Sequence, residues 1–293
     1  MTENKNPHRP QTTHNIVWLD WPAPNAVKAC YTLRSGGYSN APYSNFNVGD
    51  HVNDSSFSVA QNRKKLQEVI GQQAICWLQQ VHGTNIVDAK IGNGSKADAC
   101  YTQKLNQVCN VMTADCLPVF FCDTRGSQVA VAHAGWRGLH AGVLQQTLKK
   151  FNRADQSRSN IKSPNNIIAY LGPAISQTAF EVGDDVREAF LSLPHDQLKR
   201  GRQYFKAGRY LDVNCSNVNG LETNKLDINN LGINNEGHKW MADLYGIAKD
   251  MLHNMGVSEI YGGDRCTYSE ADKFFSYRRD GITGRMANLI WLD

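Results

Sequence analysis

The chain has 293 residues, 41% of them hydrophobic and 20% charged, with a formal net charge of +4. That apolar fraction excludes wholesale disorder and allows a sizeable core. The basic residues are spread along the chain rather than gathered in a block, which argues against nucleic acid as the main partner.

In chain order, the first feature is a polar stretch, Met1 to Thr13, with Pro7 and Pro10. It lacks the apolar centre of a signal peptide and reads as a flexible tail, drawn here over residues 1–20. No apolar run approaches the ~18 residues needed to cross a bilayer, so a soluble, cytoplasmic protein with no membrane partner is expected. Ala26 to Leu33 predicts a strand. Phe57 to Ile70 predicts a helix with Val59, Leu66, Val69 and Ile70 on one side. Ile75 to Val81, Val108 to Met112, Leu117 to Cys122 and Val129 to Ala132 predict strands. Leu139 to Phe151 predicts a helix, and Ile167 to Leu171 a buried strand ended by Gly172-Pro173. Trp240 to Met255 predicts the clearest helix, with Gly256 placed as its C-terminal cap. Val257 to Tyr261 and Met286 to Trp291 close the set as strands.

Mixed strands and helices indicate an α/β or α+β fold, with part of the sheet antiparallel around Val108 to Ala132. Asn152 to Asn166 is polar and without period. Val213 to Gly237 is rich in Asn and reads as a surface insertion.

Three stretches carry the chemistry: Gln80-Val81-His82-Gly83, Thr113-Ala114-Asp115-Cys116-Leu117-Pro118 and Ala132-His133-Ala134-Gly135-Trp136-Arg137-Gly138. Each sets one metal-ligand residue beside an apolar, strand-like run. Taken singly, a histidine at a strand end is more often structural and a buried cysteine more often core. Together, His82, Cys116 and His133 form a plausible zinc set with room for a fourth ligand, the mark of a catalytic rather than a structural zinc. Asp115 and Arg137 are costly to bury without a purpose. Gly83, Gly135 and Gly138 allow close backbone approach. The strand, glycine turn and helix around His133 also suit an anion, with Arg137 to grip it. A Cys-His hydrolase fits as well, although the second histidine is then surplus. The eight cysteines include no CxxC, and the nine histidines no His-x-His. A zinc ribbon and a multicopper oxidase therefore rank low. Cys30, Cys76, Cys109 and Cys122 lie in apolar runs and read as reduced core thiols.

These stretches resemble the YfiH/laccase-domain family, also described as purine nucleoside phosphorylases and, in older naming, as polyphenol oxidases. Leu33-Arg34-Ser35-Gly36-Gly37-Tyr38-Ser39, Ser44-Asn45-Phe46-Asn47-Val48-Gly49 and Asn62-Arg63 look like its N-terminal signatures. Leu171-Gly172-Pro173-Ala174-Ile175 and Phe180-Glu181-Val182-Gly183 look like its central ones. Asp264-Arg265-Cys266-Thr267, Phe274-Phe275-Ser276-Tyr277-Arg278-Arg279-Asp280 and Thr283-Gly284-Arg285-Met286 look like its C-terminal block. The resemblance implies a single layered α/β/β/α sandwich with a mixed sheet, forming one catalytic domain over residues 21–293; the Asn-rich stretch near 213–237 departs from the family pattern and is expected as a surface insertion. It implies a catalytic zinc, with copper as the alternative, on His82, Cys116 and His133. It implies a purine nucleoside and phosphate as partners: phosphorolysis of adenosine, inosine and methylthioadenosine to free base and ribose 1-phosphate, with adenosine deamination as a further activity. Arg34, Asn47, Arg137, Arg278 and Arg279 are then candidates for substrate or phosphate. Asp115 or Glu181 is the candidate general acid, and Asp115 is equally a candidate to orient a ligand histidine. The rival readings are a Cys-His amidase acting on cell-wall precursors, a copper-dependent phenol oxidase, and a binding protein with a closed zinc.

Overall fold

A computed structural model describes residues 11–13, 15–71, 73–154, 166–208 and 238–293. Its first nine strands are β1 (Gln11–Thr13), β2 (Ile16–Trp18), β3 (Val27–Thr32), β4 (Ala74–Cys76), β5 (Ile86–Asp88), β6 (Ala99–Thr102), β7 (Gln107–Thr113), β8 (Leu117–Asp123) and β9 (Val129–Ala134). Then come β10 (Ile167–Leu171), β11 (Glu181–Val182), β12 (Phe205–Ala207), β13 (Trp240–Ala242), β14 (Glu259–Gly262) and β15 (Met286–Leu292). The helices are α1 (Ser56–Val69), α2 (Trp136–Ala141), α3 (Val143–Ala154), α4 (Asp184–Leu191), α5 (Leu244–Asn254) and α6 (Tyr277–Asp280).

Two six-stranded sheets, ordered β1-β2-β3-β15-β7-β4 and β14-β10-β8-β9-β6-β5, stand beside a three-stranded sheet ordered β11-β13-β12. The central strands are buried on both faces, so they read as continuous apolar runs. The period of two still sorts their side chains. Cys109 and Val111 of β7 meet Phe120 and Cys122 of β8 and Val129 and Val131 of β9 in a core between the large sheets. Val108 and Met112 turn the other way and pack with Leu66 of α1. Val119, Phe121, Ala130 and Ala132 look outward and pack with Leu139, Leu144 and Leu148 of α2 and α3 and Ile247 and Met251 of α5. The layers therefore run helix, sheet, sheet, helix, the α/β/β/α sandwich expected.

Several expected elements change. The tail drawn over residues 1–20 is too long: β1 pairs β2 and β2 pairs β3, with Ile16 and Val17 buried. Three residues of apolar character between polar neighbours are too few to announce a strand. Residues 1–10, the polar stretch at 155–165 and the insertion expected at 213–237 lie outside the described residues. The helix expected over Leu139 to Phe151 is two helices. Gly142, at φ +94, caps α2 in the left-handed conformation that a continuous helix cannot contain. The helix expected from Trp240 starts at Leu244, because Trp240–Ala242 pairs with β11 and β12 and Asp243 caps the Gly246 N–H. The strand expected over Ile75 to Val81 stops at Cys76. Beyond it the Gln80 amide bonds both the carbonyl and the N–H of Met112 on β7, so a side chain takes the place of a strand partner.

Candidate metal centre

The chain passes from the first large sheet to the second between β4 and β5, and again between β7 and β8. His82 lies in the first crossing and Cys116 in the second. His133 is the next-to-last residue of β9. By the period of two it shares the face of Val129 and Val131, which look into the inter-sheet core. The structure brings the three together: their ligating atoms all lie within 4.8 Å of one another. Cys116 Sγ is 3.7 Å from His82 Nε2, and the two imidazoles meet edge to face with centroids 4.8 Å apart. His133 is buried, Cys116 half-buried and His82 exposed, so the group opens to solvent on the His82 side.

The backbone is bent to make this meeting. His82 has φ 57 and Asp115 φ 95, left-handed values that cost a non-glycine residue energy and persist where surrounding contacts fix them. Gly135 is needed for space. A Cβ there would stand 2.8 Å from Cys116 Sγ and 3.0 Å from His82 Cδ2.

Asp98 supplies the fixing contacts. It is fully buried, and its carboxylate accepts the main-chain N–H groups of Val81 at 3.2 Å, His82 at 2.9 Å and Gly83 at 2.7 Å. His133 Nδ1 lies 2.9 Å from the same carboxylate, and the His133 N–H donates to the Asp98 carbonyl. That bond assigns the proton to Nδ1 and leaves Nε2 for the centre. Burial pushes the Asp98 carboxyl up, but the bonds from His133 and from the Gly83 and Val81 N–H groups prevail and hold it below its usual value. Burial likewise pushes the Cys116 thiol up. The charge of His133 and hydrogen bonds from His133 and His82 outweigh it and bring Cys116 down to about 6. His133 moves the other way. Burial lowers it, and the Cys116 thiolate and Asp98 raise it to about 9. Both shifts favour a thiolate–imidazolium pair in the metal-free centre.

Sequence reasoning missed Asp98. It carried the signal that marked Asp115, a carboxylate flanked by small apolar residues, yet nothing in its spacing ties it to residues 81–83. Asp115 itself orients no ligand histidine. Its carboxylate accepts the Thr267 hydroxyl at 2.6 Å and the Arg278 N–H at 2.7 Å, pinning the C-terminal block to the Cys116 turn. Both of its carboxylate oxygens are engaged in these contacts. Glu181 enters this network through its main-chain carbonyl, which accepts from Arg278 Nη1. Arg34 donates to the carbonyls of Ala271 and Ser44 and lies over the Phe275 ring. Arg279 donates to the carbonyls of Thr267, Tyr268 and Phe274. Both guanidiniums tie loops together. Arg137 is exposed and stacks on Trp136 at the start of α2, a helix of six residues. Asn47 is buried and spent: its amide donates to Gly49 and Asp54, and its carbonyl accepts the N–H groups of Gly49 and Arg285. Arg285 is the cation that the centre does feel. Burial lowers its pKa, while Cys116 and Asp115 act to raise it. Only a motif fragment marked it in the sequence, because its place depends on β15 pairing with β7.

Two imidazole nitrogens and a thiolate, with one histidine locked by a buried carboxylate, fit a borderline-soft transition metal such as zinc or copper.

A family profile described as "Multi-copper polyphenol oxidoreductase laccase" matches residues 28–293. Purine nucleoside phosphorylase YfiH of Escherichia coli is 43% identical over 281 residues, covering 94% of this chain and 98% of its own. A purine nucleoside phosphorylase of Haemophilus influenzae is 42% identical over 276 residues, covering 94% and 98%. Among solved structures, a Neisseria meningitidis protein is 42% identical with a TM-score of 0.77, covering 95% of this chain and 99% of its own. A hypothetical protein YfiH of Bacillus licheniformis is 28% identical with a TM-score of 0.80, covering 98% and 100%.

Proposed function

The chain belongs to the multi-copper polyphenol oxidoreductase laccase family, and from that membership we propose that it is a zinc-dependent purine nucleoside phosphorylase acting on adenosine, inosine and methylthioadenosine. The observation that carries the reading is the solvent-open His82–Cys116–His133 group with His133 locked by Asp98. It is joined to the names borne by relatives that span nearly the same length. In the reaction an oxygen of inorganic phosphate forms a bond to C1′ of the sugar as the bond from C1′ to the purine nitrogen breaks. The electron pair leaves with the base, which takes up a proton. Bound by these three side chains, a metal would supply a Lewis acid with a coordination place free for substrate or water. The protein's own part is to hold His133 Nε2 and Cys116 Sγ in place, through Asp98 and the left-handed turns; the Cys116 thiol is poised to ionise, and His133 would give up its Nε2 proton as a metal binds.

Adenosine deamination at the same centre is the further activity proposed. Copper is the alternative metal at these same ligands. The family's descriptive name speaks of several coppers, but among the described residues one such group of ligands is present. Among those residues no helix is long and apolar enough to cross a membrane, and we place the enzyme in the cytoplasm. Purified, metal-analysed protein incubated with adenosine, with and without phosphate, tests the reading. Adenine and ribose 1-phosphate formed only with phosphate support phosphorolysis, and inosine supports deamination. Zinc-loaded protein that leaves all three nucleosides unchanged in both conditions sinks it.

One observation favours a second reading. Cys116, His133 and Asp98 line up as a nucleophile, base and orienting carboxylate, with the thiol already down at about 6. A Cys-His hydrolase would act without metal and lose its amidase activity on alkylation, whereas the phosphorylase needs the metal.

A further inference from the structure

A cavity of about 610 Å³ opens beside the metal loop, walled by Asp50, His51, Arg63, Trp77 and the Gln79–Val81 segment that runs directly into His82. The arginines singled out from the sequence do not wall it. Arg63, on α1, lies with its guanidinium 3.9 Å from the centroid of the Trp77 ring, and its Nε donates to the Val48 carbonyl. The ring and the carbonyl hold the planar group rigid at the cavity wall. Its Nη2 stands 3.1 Å from Asp50 Oδ2 in an ion pair. Asp50 is mostly exposed, and a solvated carboxylate of this kind holds its partner weakly. An oxyanion entering the cavity therefore competes for Arg63 with a poor rival.

A second fixed cation lies next to this wall. The Arg285 stem packs on Gly49, where a Cβ would stand 2.8 Å from its Cγ, and Gly49 precedes the cavity residues Asp50 and His51. Arg285 is within electrostatic reach of His51 on one side and of Cys116 and Asp115 on the other. The two arginines thus span the way from the cavity to the metal centre, with His51 between them as a polar imidazole whose charged form burial and Arg285 disfavour. The volume lies in the range of small-molecule sites and exceeds what a tetrahedral oxyanion fills alone. Room remains for the sugar that the anion must reach.

We propose that this cavity is the site of inorganic phosphate, gripped by Arg63 and His51, with Arg285 carrying the positive field to the metal centre. The proposal rests on the phosphorolysis reading above. Inorganic phosphate titrated into the metal-loaded protein, followed by calorimetry, tests it directly. Saturable binding is expected. Arg63→Gln should weaken it about tenfold or more, the loss of a charge-assisted hydrogen bond. Arg63→Lys, which keeps charge but not the fork, should fall between. His51→Asn, at an exposed position that folding tolerates, should weaken it by a smaller factor. Lys64→Gln, an exposed neighbour with the same charge change, should leave it unaltered. The Michaelis constant for phosphate should rise in parallel while that for the nucleoside stays put. Unaltered phosphate affinity in folded Arg63→Gln and His51→Asn, no saturable binding by the parent protein, or AMP bound tighter than phosphate would each overturn the assignment. Phosphate-dependent base release that ignores Arg63 and His51 removes the cavity but leaves the phosphorylase. Arg63-dependent phosphate binding without base release does the reverse.

Discussion

Asp98 shows how much one side chain can hold. It gathers three main-chain N–H groups of the His82 turn and the Nδ1 of His133, so it fixes two of the three candidate ligands at once. Asp98→Asn removes the charge and offers an amide where acceptors are required. The expected cost is about 3 kcal/mol of stability, as when a buried ionic partner is lost. Metal affinity should fall roughly 10–100-fold, the usual effect of losing a group that orients a ligand histidine. Thermal melts and competitive zinc titration check both, and an unchanged zinc affinity would remove Asp98 from its orienting role. The thiolate–imidazolium pair gives a pH prediction. The contribution of Cys116 is full above the ordinary thiol range and is lost as pH falls through about 6. That of His133 is full below the ordinary imidazole range and is lost as pH rises through about 9. Each shift presupposes the partner's charge, so one pair operates, between about 6 and about 9. In metal-free protein the rate of Cys116 alkylation, taken as the difference from Cys116→Ser, should therefore reach its half-maximum near pH 6. A midpoint near 9 would show that no such pair forms. At this scale the candidate ligands were legible because His and Cys are rare and chemically marked. Asp98 and Arg285 were not, because a carboxylate or guanidinium takes its meaning from contacts far along the chain.

At the scale of elements, the sequence pattern was most reliable where one period ran without competition. The strands around Val108, Leu117 and Val129 appear where the apolar runs placed them, as does the helix around Leu66. It failed where two periods overlap. Trp240 and Ala242 suit a helix face and also a strand, and pairing with β11 and β12 decides for the strand. Across Leu139 to Phe151 the apolar spacing continues through Gly142, yet the backbone turns left-handed there and starts a new helix. Gly142→Ala tests whether the break is demanded by the fold. Alanine favours a continuous helix but is strained at φ +94, so a loss of about 1 kcal/mol is expected in urea unfolding. A gain in stability would mean that the two helices merge without harm, and the break would then be incidental. Metal content should hardly change, since Gly142 is seven residues beyond the glycine that touches Cys116.

The whole molecule depends on an element near the end of the chain. β15 lies between β3 and β7 in the middle of the first sheet, pairing Leu292 with Val27 at one end and Met286 with Thr113 at the other. The apolar runs gave a mixed α/β fold, and the two stacked sheets came only with the family resemblance. Strand order was not, because pairing across more than 170 residues (Asn288 donates to the carbonyl of Val111) leaves no mark in local spacing. That long-range pairing also sets the site. Met286 fixes the end of β7 from which the Cys116 turn departs, and Arg285 is delivered beside it. Every residue of β15 is buried, among them Met286, Leu289, Ile290, Trp291 and Leu292. Burying side chains of this kind is worth about 1.5–3 kcal/mol each. Together they match the whole stability of an ordinary domain, about 5–15 kcal/mol. Deletion of residues 286–293 would also leave two inner strand edges without partners. The truncated chain should therefore show no cooperative thermal transition by circular dichroism and bind no zinc at the His82–Cys116–His133 group, although all three ligands remain in it. A truncated protein with a sharp melt and full zinc affinity would mean that the second sheet alone assembles the centre, and the role given to β15 would fall.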